Sequence, residues 1–96
     1  MSFRWIEMTG AGNVYPGDKI FLNSTGGAFT ATLPASPSAS DMISFIDGAG
    51  DCETHNVTID RNGKKIAGLE ENFIINADNA SFDLIYQGTD EGWVIR

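Results

Sequence analysis

This sequence is poor in several things, and each shortage excludes a class of protein. There is one cysteine, Cys52. A lone cysteine forms no internal disulfide, so the chain is not a disulfide-stapled secreted domain. Basic residues are scarce, six Lys and Arg against thirteen Asp and Glu, for a net charge of −7. A phosphate-backbone site needs clustered Lys and Arg. The one basic group, Arg61, Lys64 and Lys65, flanks Asn62-Gly63 and so decorates a turn. No nucleic acid is expected as a partner. Long apolar runs are missing too, with nothing near the ~20 residues of a membrane helix, so no membrane insertion is expected. The N-terminus, MSFRWIEMTG, lacks the basic segment and apolar stretch of a signal peptide. These features predict a chain made in a reducing cytoplasm. The sequons at Asn23, Asn56 and Asn79 are then turn and strand residues.

Helical periodicity is also absent. No window keeps apolar residues at i, i+3, i+4 and i+7 over three turns. What the chain has instead is short alternating runs, each closed by Gly, Asn, Asp or Pro. They predict strands near 3–8, 19–23, 28–33, 42–47, 56–60, 64–67, 72–77, 81–87 and 92–96. Ninety-six residues make one domain that buries roughly 64 % of its unfolded surface. The fold expected is all-β: a small sandwich or barrel-like module of short antiparallel strands and hairpins.

The turns support hairpins. Asn62-Gly63 suits a type I′ turn, which needs positive φ at both central positions. Ser24-Thr25-Gly26-Gly27, Ala77-Asp78-Asn79-Ala80 and Gly88-Thr89-Asp90-Glu91-Gly92 each stand between two predicted strands. In GGAFTATLPASPSASD (residues 26–41), Pro34 ends a strand. Pro37 holds the chain extended until Asp41 opens the next one, because proline lacks the ladder donor and restricts its predecessor.

One set of strand positions makes a core: Ile20, Leu22, Phe29, Ala31, Leu33, Ile43, Phe45, Val57, Ile59, Phe73, Ile75, Phe82, Leu84, Tyr86, Trp93 and Ile95. The alternate positions should be polar in a free-standing domain. Several are apolar instead: Phe21, Met42, Ile46, Ile74, Ile85 and Val94. Outward apolar residues in number mark an interface. Phe21, Ile46, Ile74, Ile85 and Val94 are therefore the expected subunit contacts.

Candidate chemistry is thin. His55 lies three residues from Cys52, with Asp51 and Glu53 nearby, but that interval in a Gly-led loop specifies no triad geometry. Asp47-Gly48-Ala49-Gly50-Asp51 offers two carboxylates without the ordered oxygen ligands that calcium needs. Glu70-Glu71 and Asp90-Glu91 read as solvated charges. Trp5, Tyr15, Tyr86 and Trp93 are the rings that could stack on a sugar, with Tyr86 and Trp93 better suited to a core. No catalytic residue, metal or cofactor is expected.

Three stretches taken in order carry a resemblance. GDKIFLNSTGGAFTATLPASPSASDMISFIDGAG, NVTIDRNGKKIAG and NADNASFDLIYQGTDEGW together resemble a module of tail-fibre and other virion structural proteins of tailed phages, especially T4-like phages of marine cyanobacteria. The match covers residues 17–96, and residues 1–16 form an N-terminal strand and linker segment outside it. Similar modules often place Gly before the Asp that opens the third strand of the match; here the pair is Ser40-Asp41. The resemblance implies a non-enzymatic virion structural or interaction domain made in the host bacterial cytoplasm. It implies a homotrimer bound to other virion proteins, either free-standing or part of a longer fibre. The alternative from another class is a carbohydrate-binding module for a host surface glycan.

Overall fold

In the computed structural model, which describes residues 5–96, every regular element is a strand. In chain order they are β1 (Ile6–Met8), β2 (Gly12–Asn13), β3 (Lys19–Leu22), β4 (Phe29–Thr32), β5 (Met42–Asp47), β6 (Val57–Asp60), β7 (Phe73–Ile75), β8 (Ser81–Tyr86) and β9 (Trp93–Ile95). The all-β class stands. The first predicted strand began at residue 3, and its opening residues lie outside the described part.

The strands build two mixed sheets. One has five strands in the order β1-β3-β5-β8-β9; the other has four, β2-β4-β6-β7. The ladder of antiparallel hairpins expected from the turns is corrected here. The pairs β1–β3, β3–β5, β2–β4 and β4–β6 are parallel. Only β5–β8, β6–β7 and β8–β9 are antiparallel. The cause is the path of the chain. Through β6 it alternates between the sheets, so it returns to each sheet running in the direction it left. Parallel strands need such a crossover, and here a strand of the other sheet supplies it where a helix usually would.

The turn residues act locally as predicted and globally otherwise. Asn62 and Gly63 both have positive φ, 50° and 89°, and the Lys64 N–H donates to Arg61 O at 3.1 Å. The chain that follows does not pair back on β6. It runs beside β9, where the Trp93 N–H donates to Lys65 O and the Ala67 N–H to Trp93 O. The strand predicted over 64–67 is thus reduced to a bridge at Ile66. Gly92 permits this approach: with φ +71°, a Cβ there would stand 2.0 Å from Lys65 O. Ser24–Gly27 and Ala77–Ala80 each carry the chain from one sheet to the other. Gly88–Gly92 alone among these turns closes a hairpin, between β8 and β9.

Both sheets feed one apolar cluster. Ile20, Leu22, Ile43, Phe45, Leu84, Tyr86 and Trp93 come from the five-stranded sheet, and Ala31, Val57, Ile59 and Ile75 from the four-stranded one. Val14, Leu33, Cys52 and Ile66 join from connections. Each fully buried large aliphatic contributes about 1.5–3 kcal/mol. The Phe82 ring stacks on Phe45 at 5.4 Å and meets Phe73 edge-on at 5.3 Å, so it links the two sheets. The inward positions read from alternation are all buried or packed against this core.

Candidate functional site

The outer faces follow from register. On the five-stranded sheet, Phe21 of β3 sits beside Ile46 of β5. Ile85 of β8 lies between Met42 of β5 and Val94 of β9. These two apolar rows flank a polar one. Lys19 is beside Ser44, Ser44 beside Asp83, and Asp83 exchanges backbone hydrogen bonds with Arg96. Phe21, Ile46, Ile85 and Val94 are half-buried and Met42 is exposed. Phe21 is covered from below by its seat on Gly48, where an added Cβ would fall 2.2 Å from the ring.

The four-stranded sheet presents a different surface. Thr30 neighbours Thr58, and Thr58 neighbours Ile74; in the next outward row Thr32 faces Asp60. Ile74 is 51 % exposed and stands alone there. Of the five expected contact residues, the fold therefore brings four onto one face and puts Ile74 on the other. Alternation within a strand cannot say which sheet the strand joins.

The Asp47-to-Asp51 loop is a structural joint. Asp47 ends β5 and is 3 % exposed. Its carboxylate accepts from the N–H groups of Gly50, Asp51, Cys52 and Asn79. The first three belong to the crossing from β5 to β6, and Asn79 to the crossing from β7 to β8. One carboxylate so ties both crossings between the sheets. Burial works to raise its pKa, and the hydrogen bonds from Asn79, Cys52 and Asp51 outweigh it, leaving the group below its ordinary 3.8. A carboxylate surrounded by N–H donors is not set up to bind a cation. Among the described residues no group of three or more His, Cys, Asp or Glu is placed to hold a metal.

The cysteine–histidine pair does not assemble into a nucleophile and base. His55 Nδ1 engages Asp51, and the Cys52 sulfur receives the Ser24 hydroxyl at 3.9 Å. Burial pushes the Cys52 thiol up to about 11, so it is protonated at neutral pH and unreactive. The paired acids Glu70, Glu71, Asp90 and Glu91 are all exposed. Arg61 Nη1 donates to Lys64 O, which folds that basic residue back onto its own turn. Of the four rings considered for sugar stacking, Tyr86 and Trp93 are core, packed edge-on at 5.3 Å, while Trp5 and Tyr15 are exposed.

No family model matches the chain, and no curated protein matches it.

Proposed function

We propose that this chain is a non-enzymatic structural and interaction domain of a tailed-phage particle, of the tail-fibre kind. In this reading the two sheets form a small sandwich, and the five-stranded sheet packs its outer face against further copies in a homotrimer. The observation that carries the reading is the pair of apolar rows, Phe21–Ile46 and Met42–Ile85–Val94, on one face.

Two further features support a second copy as the occupant. The charged residues on that face are Glu7, Lys19, Asp83 and Arg96, two acids and two bases, so it is neutral in a chain of net charge −7. Like-charged copies repel least where each is neutral. The molecule measures 34 × 34 × 21 Å. A broad side 34 Å across in both directions is wide enough for the ~800 Å² per partner of a standard interface. The number three comes from the resemblance to tail-fibre modules. The same resemblance supports a place in the virion and contact with other virion proteins.

Peptide mass spectrometry of gradient-purified virions from the lysate that yields this gene tests the assignment. Peptides of this chain at a copy number typical of structural proteins are expected. Their absence from particles, with the chain abundant in the cell extract, contradicts it.

A further inference from the structure

Each sheet ends in two edge strands, and an edge strand presents unpaired N–H and C=O groups that folded proteins blunt. β9 is covered: the Trp93 N–H donates to Lys65 O and the Ala67 N–H to Trp93 O. β1 carries a charge, Glu7. β2 is reduced to Gly12 and Asn13. β7 is treated differently. It ends the four-stranded sheet and reads Phe73-Ile74-Ile75. Among the described residues, these three make no backbone hydrogen bond beyond the ladder with β6.

Two concavities open along this edge and share Phe73 as a wall. One, about 100 Å³, is lined by Ile74, Ile75, Ala77, Ala80 and Phe82. The other, about 230 Å³, is lined by Ile66, Leu69, Asn72 and Ile95, with Glu71 at its rim. Leu69 is 55 % exposed and Ile74 51 % exposed. An open strand edge beside apolar concavities suits strand addition. The added backbone completes the ladder, and its alternate side chains, on the side of Phe73 and Ile75, enter the concavities.

The charges at the two ends of β7 identify the occupant. Glu70 and Glu71 precede the strand, Asp78 follows it, and all three are exposed. Asp78 is held in place by the Glu53 N–H on Oδ1 at 2.9 Å. Arg61 meets the start of the edge through its N–H on Asn72 Oδ1, but its guanidinium is turned back onto Lys64 O. A second copy paired antiparallel about Ile74 would set Glu70 opposite Asp78 at both ends. Like charges directly opposite destabilise such a pair. A strand with basic ends meets the same acids favourably.

We infer that the β7 edge docks an extended segment of a different polypeptide, apolar at alternate positions and basic at both ends. Its backbone pairs with Phe73–Ile75, its apolar side chains fill the two concavities, and its Lys or Arg residues lie beside Glu70, Glu71 and Asp78. Phe21, Ile46, Ile85 and Val94 line neither concavity, so the site is independent of the assembly reading.

The probe is a synthetic peptide, acetyl-Lys-Val-Thr-Val-Thr-Val-Thr-Val-Lys-amide, titrated into the ¹⁵N-labelled full chain and read by amide chemical shifts. Saturable shifts centred on residues 69–80 are expected. A peptide with proline for the central threonine should not bind, because proline breaks the added strand. A peptide with glutamate for both lysines should bind more weakly than the parent peptide. Leu69→Ala should weaken binding of the lysine peptide about threefold, through lost apolar contact at an exposed position. Glu70→Gln with Glu71→Gln should also weaken it about threefold, as loss of exposed ion pairs does. Ile46→Thr with Ile85→Thr should bind the peptide as the parent chain does, which separates failure of this site from failure of the assembly. No saturable shift with the lysine peptide overturns the proposal. So do shifts centred on another edge, equal binding of the proline peptide, tighter binding of the glutamate peptide, or indifference to both Leu69→Ala and the glutamine pair.

Discussion

On the outer face of the five-stranded sheet, Phe21 neighbours Ile46, and Ile85 lies between Met42 and Val94. On the four-stranded sheet, the outward positions hold Thr30, Thr32, Thr58 and Asp60, with Ile74 alone among them. Threonine suits a strand facing water: its branched Cβ favours extended backbone and its hydroxyl remains solvated. The chain thus builds a water-compatible outer face and does so on one sheet only. The apolar rows on the other sheet are not forced by strand formation. On the proposed reading they belong to a surface that further copies cover.

The largest effect should come from breaking both faces at once. Asp47→Ala removes the acceptor shared by four backbone N–H groups and frees both crossings between the sheets. A loss of about 4 kcal/mol is expected in denaturant titration, the sum of one buried and three part-buried donors left without this acceptor. The same joint gives a pH signature. The folded pKa of Asp47 lies below the unfolded 3.8, so its stabilisation is complete well above that value. It is lost as pH falls below 3.8 through the folded pKa. The variant should show a shallower loss of stability in that acid window than the parent.

A smaller change disturbs one face. Gly48→Ala drives a Cβ into the Phe21 ring, which must swing outward. About 2 kcal/mol of destabilisation is expected, as for other overpacked sites. Threonine chemistry on the four-stranded face should be untouched, and amide shifts of Thr30 and Thr58 should report that.

Copying the polar face onto the apolar one removes the contrast. Ile46→Thr with Ile85→Thr should release single chains in sedimentation experiments, whereas Ile74→Thr should leave the assembly whole. Each substitution at these partly exposed positions should alter the fold's own stability by only about 1 kcal/mol. Equal behaviour of the two surfaces would remove the distinction drawn between them.

The smallest change leaves both faces alone. Ser40 has φ +75°, in the left-handed region, within a turn closed by the Asp41 N–H on Ser38 O. Glycine occupies that region without strain and serine does not. Ser40→Gly should therefore raise stability by about 1 kcal/mol with unchanged mass. Ser40 is thus the strained position of this turn.

Much of the interior was legible because side-chain alternation is a local signal. Ile20 and Leu22, Val57 and Ile59, and Leu84 and Tyr86 could each be assigned inward from their own strand. The topology was not legible in that way. The partner of Ile20 is Phe45, beyond β4 and the proline crossover, and a parallel partner leaves no mark near the strand it pairs with. Turn residues report that the chain bends, not where it goes afterwards, so Ser24–Gly27 read as a hairpin and proved a passage between sheets. β2 was missed because Gly12 and Asn13 are poor strand formers held only by pairing with β4. The outward apolar set was found residue by residue. Its division into one crowded face and one isolated Ile74 required knowing which strands share a sheet.

The most direct test of that crowded face is the mass of the purified full chain by light scattering across a dilution series. A stable threefold species is predicted, about 31 kDa from three chains of 10.3 kDa, reduced to single chains by Ile46→Thr with Ile85→Thr. A parent chain that remains a 10.3 kDa monomer at every concentration would contradict the account.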